Sequence, residues 1–143
     1  MTPSTKRLLF ALFIPPQCVI LFVQLASLLQ FGRLTALDRF DYWLLWVALV
    51  NVFCLVPGLL LYGLFELVAS KGLSGSIRLL VMMAIAMVVG GATGFAFDES
   101  LYSEGSTHPS FLSIHLYLLA GLTAGAITGL ITSMDDRPKR ESH

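Results

Sequence analysis

A few side chains capable of hydrogen bonding or proton transfer interrupt otherwise apolar stretches of this sequence. The four candidates for a polar site are two amides, one hydroxyl and one imidazole: Gln24, Asn51, Thr93 and His115. Inside apolar segments, such groups join helices, contact a polar ligand or pass protons. His115 is the only ionisable residue well inside such a segment. It is therefore the candidate for a proton relay or a transport site.

Four apolar runs must position these side chains. They are Leu8 to Phe31, Tyr42 to Phe65, Ile77 to Phe97 and Phe111 to Met134. Each run exceeds the roughly 20 residues that cross the hydrocarbon core of a bilayer as a helix. The composition agrees, with 56% hydrophobic and 13% charged residues. We predict an all-α membrane protein, a compact bundle of four transmembrane helices in one domain over 1–143, with a short polar tail at 135–143.

The positions of the basic residues predict the orientation, because Lys and Arg are retained on the cytoplasmic side. One side of the predicted membrane carries most of them: Lys6, Arg7, Lys71, Arg78, Arg137, Lys139 and Arg140. The opposite side carries Arg33 and Arg39. We therefore predict that both termini are cytoplasmic. The localisation that fits best is a multi-pass protein of a bacterial inner membrane.

Counting from the middle of each run suggests which polar side chains are neighbours. Gln24 and Asn51 both fall about 4 to 6 Å towards the outer side of the membrane, and Thr93 and His115 also share a level. An amide pair between two helices stabilises packing, since an unpaired amide in lipid costs several kcal/mol. The alternative is that the amides contact a ligand. For His115, the alternative to a relay is a hydrogen bond to Thr93 or to a backbone carbonyl.

Glycines recur at intervals of four in the third and fourth runs. The positions are Gly90, Gly91, Gly94, Gly121, Gly125 and Gly129. On a helix this spacing makes one stripe of small residues, which lets a second backbone approach closely. By depth, Gly90 and Gly91 lie level with Gly121, and the later glycines lie level with Gly58 and Gly63 of the second run. The stripe predicts a helix-packing interface, either within the chain or with another protein.

Prolines interrupt the first two runs at Pro15, Pro16 and Pro57. Each removes a helix hydrogen bond and frees a backbone carbonyl. Broken helices at matching positions can mark the binding site of a transporter. The first half of this sequence shows no convincing repeat in the second half, which weakens that interpretation.

The predicted outer loop follows the third run and is acidic. Its candidate recognition residues are Asp98, Glu99, Tyr102, Glu104 and His108. Carboxylates and imidazole can also hold a cation. A loop rich in such residues is more often a solvated link, so we predict recognition of a partner and no metal site.

The remaining motifs exclude several classes of function. The formal net charge is zero, and the sequence has no nucleotide-binding, metalloprotease or CxxC motif, so we expect no nucleic acid, no cofactor and no enzymatic activity. Small multidrug transporters share the four-span plan but carry a carboxylate in their first helix, which is missing here. Membrane-resident immunity proteins and small accessory subunits also share the plan, without a motif that matches residue by residue.

The expected function is association with another integral membrane protein, as an accessory subunit or an immunity-type partner. The alternative is a small self-associating transporter or channel built around Gln24, Asn51 and His115.

Overall fold

A computed structural model describes residues 2–32, 34, 40–102 and 116–135 of the chain. This part forms four helices: α1 Pro3–Phe31, α2 Phe40–Ser70, α3 Gly75–Tyr102 and α4 Leu116–Asp135. All four are long and apolar enough to cross a membrane. The predicted all-helical class with four apolar helices is therefore confirmed. Residues 136–143 of the polar tail lie outside the described residues.

Three of the helices begin before their apolar runs, and in α1 a local capping interaction accounts for the early start. α1 begins at Pro3, five residues before the run, since the Thr2 hydroxyl accepts the Thr5 N–H at 3.2 Å. This is an N-cap followed by proline at the first helical position, where proline is favoured. α1 ends at Phe31, and the C-cap residue Gly32 has a φ of 67°, a left-handed conformation typical of that position.

Successive helices run antiparallel. The first turns of α1 lie beside the last turns of α2, where Arg7 and Glu66 form an ion pair with a distance of 3.0 Å. A short link over 71–74 joins α2 to α3. This end of the bundle also carries Lys71 and Arg78, and we call it the basic end. α4 packs most extensively on α3 and also contacts α1.

The buried side chains form two groups. The first lies towards the basic end and consists of Ala11, Leu61, Phe65, Val68, Met82 and Ala86. The second lies towards the opposite end and consists of Ile20, Val50, Cys54 and Phe97. Between these groups the helices are lined by prolines and glycines, which leaves the middle of the bundle thinly filled.

The prolines lie within continuous helices, and the bundle compensates one of their missing hydrogen bonds. Pro15 has no N–H to give to the carbonyl of Ala11, four residues earlier. Gly58 of α2 approaches that carbonyl so closely that a Cβ on Gly58 would lie 2.9 Å from the Ala11 oxygen. A glycine directly after Pro57 thus allows a close backbone contact of the Cα–H···O type with the freed carbonyl.

Candidate functional site

Asn51 of α2 bonds to an amide of α1, but that amide is not the predicted Gln24. Asn51 donates a hydrogen bond from Nδ2 to the carbonyl of Val47 at 2.8 Å. Its Oδ1 accepts a bond from Nε2 of Gln17 at 3.4 Å. Gln17, not Gln24, is therefore the residue that bonds Asn51 across the α1–α2 seam, and its side chain is exposed.

Gln24 lies further along the same seam, seven residues or two turns beyond Gln17. Its Oε1 is buried and has no hydrogen-bond partner within the described part of the chain. The same is true of Nε1 of Trp43, which the antiparallel pairing of Gln17 with Asn51 places near the level of Gln24. A buried acceptor and a buried donor without partners each cost about 1–3 kcal/mol. The part of the seam away from the basic end thus carries two buried polar atoms without hydrogen bonds among the described residues.

Thr93 bonds within its own helix. Its Oγ1 donates to the carbonyl of Val89 at 2.7 Å, which satisfies the hydroxyl proton without help from α4. His115 lies outside the described residues, so its pairing with Thr93 stays a prediction.

The glycines of α3 and α4 lie against each other. A Cβ on Gly90 would overlap the carbonyl oxygen of Gly121, and a Cβ on Gly121 would overlap that of Gly90. One turn further on, Gly94 meets the Tyr117 carbonyl, and Gly125 meets the carbonyl of Ala86. These positions bring the two backbones into direct contact, which no residue with a side chain would allow.

The contacts of Gly129 and Gly63 differ from those that their predicted depths suggested. Gly129 faces α3, where a Cβ would lie 2.7 Å from Cα of Met83, while Gly63 of α2 has nothing within 4 Å. The stripe therefore stays on α3 along its whole length, because two antiparallel helices in contact keep the same faces together. Gly91 is opposite the side chain of Leu122.

Asp98 is a helix residue, whereas the sequence predicted a loop residue. α3 continues to Tyr102, and the Asp98 side chain is only 4% exposed. Its Oδ2 accepts the backbone N–H of Leu118 at 3.1 Å, in the first described turn of α4. A carboxylate is stabilised there by free N–H groups and by the helix dipole. Asp98 is thus placed to join α3 to α4 instead of being presented to a partner.

The other recognition candidates are only partly described. Glu99 is exposed on α3, and Tyr102 is the last residue of that helix. Glu104 and His108 lie outside the described residues. Within the described ranges, no three His, Cys, Asp or Glu side chains come together in a way that could hold a metal ion.

A cleft lies in the middle of the bundle and touches all four helices. The cleft has a volume of about 50 Å³. Its walls include Pro15 of α1, Pro57 of α2, Gly90 and Thr93 of α3 and Gly121 of α4. The lining is almost entirely apolar, and none of its side chains is charged.

The outward face of α1 carries an exposed row of large side chains at intervals of four. Phe13 is 59% exposed, Leu21 69% and Leu25 56%, and Gln17 stands between them. Residues four apart form a ridge along a helix, and such ridges pack into the grooves of a second helix. We call this row the α1 ridge.

No family model, curated protein or solved structure matches the chain.

The α1 ridge was missed at the level of sequence, although its spacing is visible there. Gln17 directly follows two prolines, whose predicted effect is on the backbone of the helix. Only the exposure of Phe13, Leu21 and Leu25 together shows that Gln17 belongs to an outward row. An amide in such a row suits recognition, because it offers both a donor and an acceptor.

Proposed function

We propose that this chain is a small, non-catalytic integral membrane protein that acts by binding another membrane protein through its helices. The role is that of an accessory subunit or an immunity-type partner in a bacterial inner membrane, with both termini cytoplasmic. The single observation that carries the proposal is the exposed amide of Gln17 in the middle of the apolar α1 ridge.

The physical argument starts from the surroundings of Gln17. In a bilayer, an exposed amide in the middle of α1 faces acyl chains, which cannot form hydrogen bonds. The bond to Asn51, at 3.4 Å, uses only one of the four hydrogen-bonding positions of the amide. A partner helix that hydrogen-bonds Gln17 stabilises the complex by about 0.6–2 kcal/mol, in addition to packing on the ridge.

The glycine stripe is the other candidate surface, and it is already covered within the chain. The glycine stripe is the usual close-contact surface of a membrane helix, and here its members lie against α3 or α4 of the same chain. The partner therefore binds elsewhere, and the apolar window of α1 is 17% buried, compared with 22% for α2 and α3 and 44% for α4.

The alternative of a transporter for polar solutes receives less support from the cleft. A path for ions or polar solutes needs hydrogen-bonding or charged groups along its walls. The walls of the cleft carry the hydroxyls of Thr93 and Tyr117 and the thiol of Cys54 as their polar side-chain groups. Gln24 does not line it, and His115 lies outside the described residues.

The proposal is tested by purifying the tagged protein from native membranes in mild detergent, alongside Gln17→Leu and the control Leu60→Ala. Leu60 lies on α2 and is 56% exposed. We expect one integral membrane protein to co-purify in fixed ratio, to be lost with Gln17→Leu and to be retained with Leu60→Ala. A second, differently tagged copy as the sole partner would support self-association instead. Retention of the partner by Gln17→Leu would contradict the proposal.

A further inference from the structure

The half of α1 away from the basic end carries a second amide on the face of Gln17. Gln17 is the middle residue of this 29-residue helix. Gln24 follows seven residues later, about 10.5 Å along the axis and within about 20° of the same direction around it. Leu21 and Leu28 lie on the same face and are 69% and 42% exposed. We call these four residues the amide face.

Gln24 has hydrogen-bonding capacity that the bundle does not use. Its Oε1 is buried without a partner among the described residues, while the residue as a whole is only half-buried. The last torsion of a glutamine side chain is broad and roughly two-fold, so either end of the amide can turn outwards. Gln17 also keeps unused positions, because its bond to Asn51 at 3.4 Å occupies only one of them. The amide face can therefore form hydrogen bonds at two levels.

The spacing of the amide face determines how one helix can reach both levels. Its members are separated by four, three and four residues, the heptad spacing of helices that cross at about 20°. Packing on the α1 ridge alone, with steps of four, favours a crossing of about 50°. At the level of Gln24, an axis that crosses at Gln17 is displaced sideways by about 9 Å at 50° but by about 4 Å at 20°. Only the shallow crossing brings one helix against both amides.

The charge of the amide face restricts the chemistry of the partner. The sequence has no charged residue from Leu8 to Phe31, so α1 offers no counter-charge along this face. A charged side chain placed against it would be an unpaired charge inside the bilayer, which is costly. A neutral amide or hydroxyl avoids this cost and can pair with glutamine as donor or as acceptor. Electrostatic complementarity therefore selects neutral polar groups.

We propose that the partner binds the amide face with one transmembrane helix, which follows α1 at about 20° and carries two neutral hydrogen-bonding side chains seven residues apart. One of these side chains contacts Gln17 and the other contacts Gln24. Leu21 and Leu28 pack against the same helix. The inference rests on the proposed function, because it specifies the helix that α1 binds.

Photo-cross-linking in native membranes tests the geometry. The full-length protein carries a photoreactive phenylalanine analogue at Leu21, at Leu28 or at the control position Leu29, which is 79% exposed and about 100° around the helix from Leu28. We expect Leu21 and Leu28 to capture the same protein with yields within about twofold of each other, and Leu29 to give less than about a tenth of that yield, because it faces away. Peptide mapping should place the two cross-links about seven residues apart in one helix of the partner.

Removal of the second amide tests its role. With the analogue at Leu21, Gln24→Leu should lower the yield of capture about 3- to 30-fold, and Leu29→Ala should change it by less than about twofold. Gln24→Leu should not lower the SDS concentration at which the isolated protein unfolds, because Oε1 has no hydrogen bond to lose. A loss of both stability and capture would overturn the inference, since Gln24 would then act in the fold.

The remaining outcomes separate the inference from the proposed function. Capture from Leu21 without capture from Leu28 would overturn the inference alone, because the partner would then cross α1 steeply. A captured helix without two neutral polar residues seven apart would do the same. Absence of any captured protein, or capture of only a second copy of this chain, would overturn both.

Discussion

The two helix pairs of this bundle are held together in different ways. α3 and α4 meet through their backbones, with Gly90 against Gly121 and Gly125 against Ala86. α1 and α2 meet largely through side chains. Their contacts are the ion pair Arg7–Glu66 at 3.0 Å, the hydroxyl pair Ser4–Tyr62 at 2.8 Å and the amide pair Gln17–Asn51 at 3.4 Å.

This difference separates the rigid part of the molecule from the part that can bind a partner. A backbone contact tolerates no added atom, so the α3–α4 pair has one geometry. Side-chain contacts are individually weak and adjustable, and α1 carries the exposed apolar side chains of the α1 ridge. We infer that α3 and α4 form the internal scaffold and that α1 is the surface offered to a partner.

The largest expected effect comes from filling the scaffold contact. Gly125→Ile places side-chain atoms where the Ala86 carbonyl lies, so the helices must separate. We expect the free energy of unfolding to fall by more than about 3 kcal/mol. Titration with SDS in mixed micelles, followed by circular dichroism, measures this. Gly63→Ile is the control, because nothing lies within 4 Å of its Cβ position. Equal losses in both variants would break the comparison.

The polar bond between α3 and α4 should give the next largest effect. Asp98→Ala removes the acceptor of the Leu118 N–H, and we expect a loss of about 1–3 kcal/mol because a charged group takes part. Asp98→Asn keeps an acceptor oxygen and should lose less. The same SDS titration compares the two variants. An Asp98→Ala protein as stable as wild type would show that the α3–α4 pair depends on glycine contacts alone.

Gly58 offers a smaller test within the α1–α2 pair. Gly58→Ala brings a methyl group to 2.9 Å from the Ala11 oxygen, which costs about 1–3 kcal/mol in strain, and alanine regains about 0.5–1 kcal/mol in helix propensity. The net effect should be a loss of about 1 kcal/mol. Gly63→Ala should instead stabilise the protein by about 0.5–1 kcal/mol. If Gly58→Ala and Gly63→Ala change the free energy of unfolding in the same direction, this account of the carbonyl freed by Pro15 is wrong.

The ion pair should contribute least. Arg7 is 13% and Glu66 34% exposed in their side chains, so solvent and salt screen the attraction. A double-mutant cycle with Arg7→Gln and Glu66→Gln should give a coupling of about 0.5–1 kcal/mol that decreases as salt is added. A coupling above about 3 kcal/mol would mean that α1 is held as firmly as α4.

The sequence predicted the number and type of helices because length and hydropathy decide both. It did not predict their ends. α1 starts five residues before its apolar run, at Pro3, so the midpoint of the helix lies two to three residues earlier than assumed. Gln24 therefore lies farther from the helix midpoint than predicted, but the bond between Gln17 and Asn51 also depends on helix rotation, which hydropathy does not give.

The sequence predicted that the glycines form a contact surface, but not which residues they contact. Depth counting put Gly90 level with Gly121, and these two residues are in contact. It also put the later glycines level with α2, whereas Gly129 faces Met83 of α3. The depth of a residue in the membrane does not determine which neighbouring helix it contacts. That contact depends on the rotation of each helix and on the order of the helices in the bundle. The burial of Asp98 depended in the same way on a helix end that hydropathy does not mark.

The most direct test of the central claim is cross-linking in living cells from the α1 ridge. A photoreactive phenylalanine analogue at Leu21 should capture one integral membrane protein, and the same analogue at Leu60 on the outward face of α2 should not. Both positions are exposed, at 69% and 56%, so lipid reaches both. Capture of the same protein from both positions, or from neither, would contradict the proposal that α1 is the partner-binding surface.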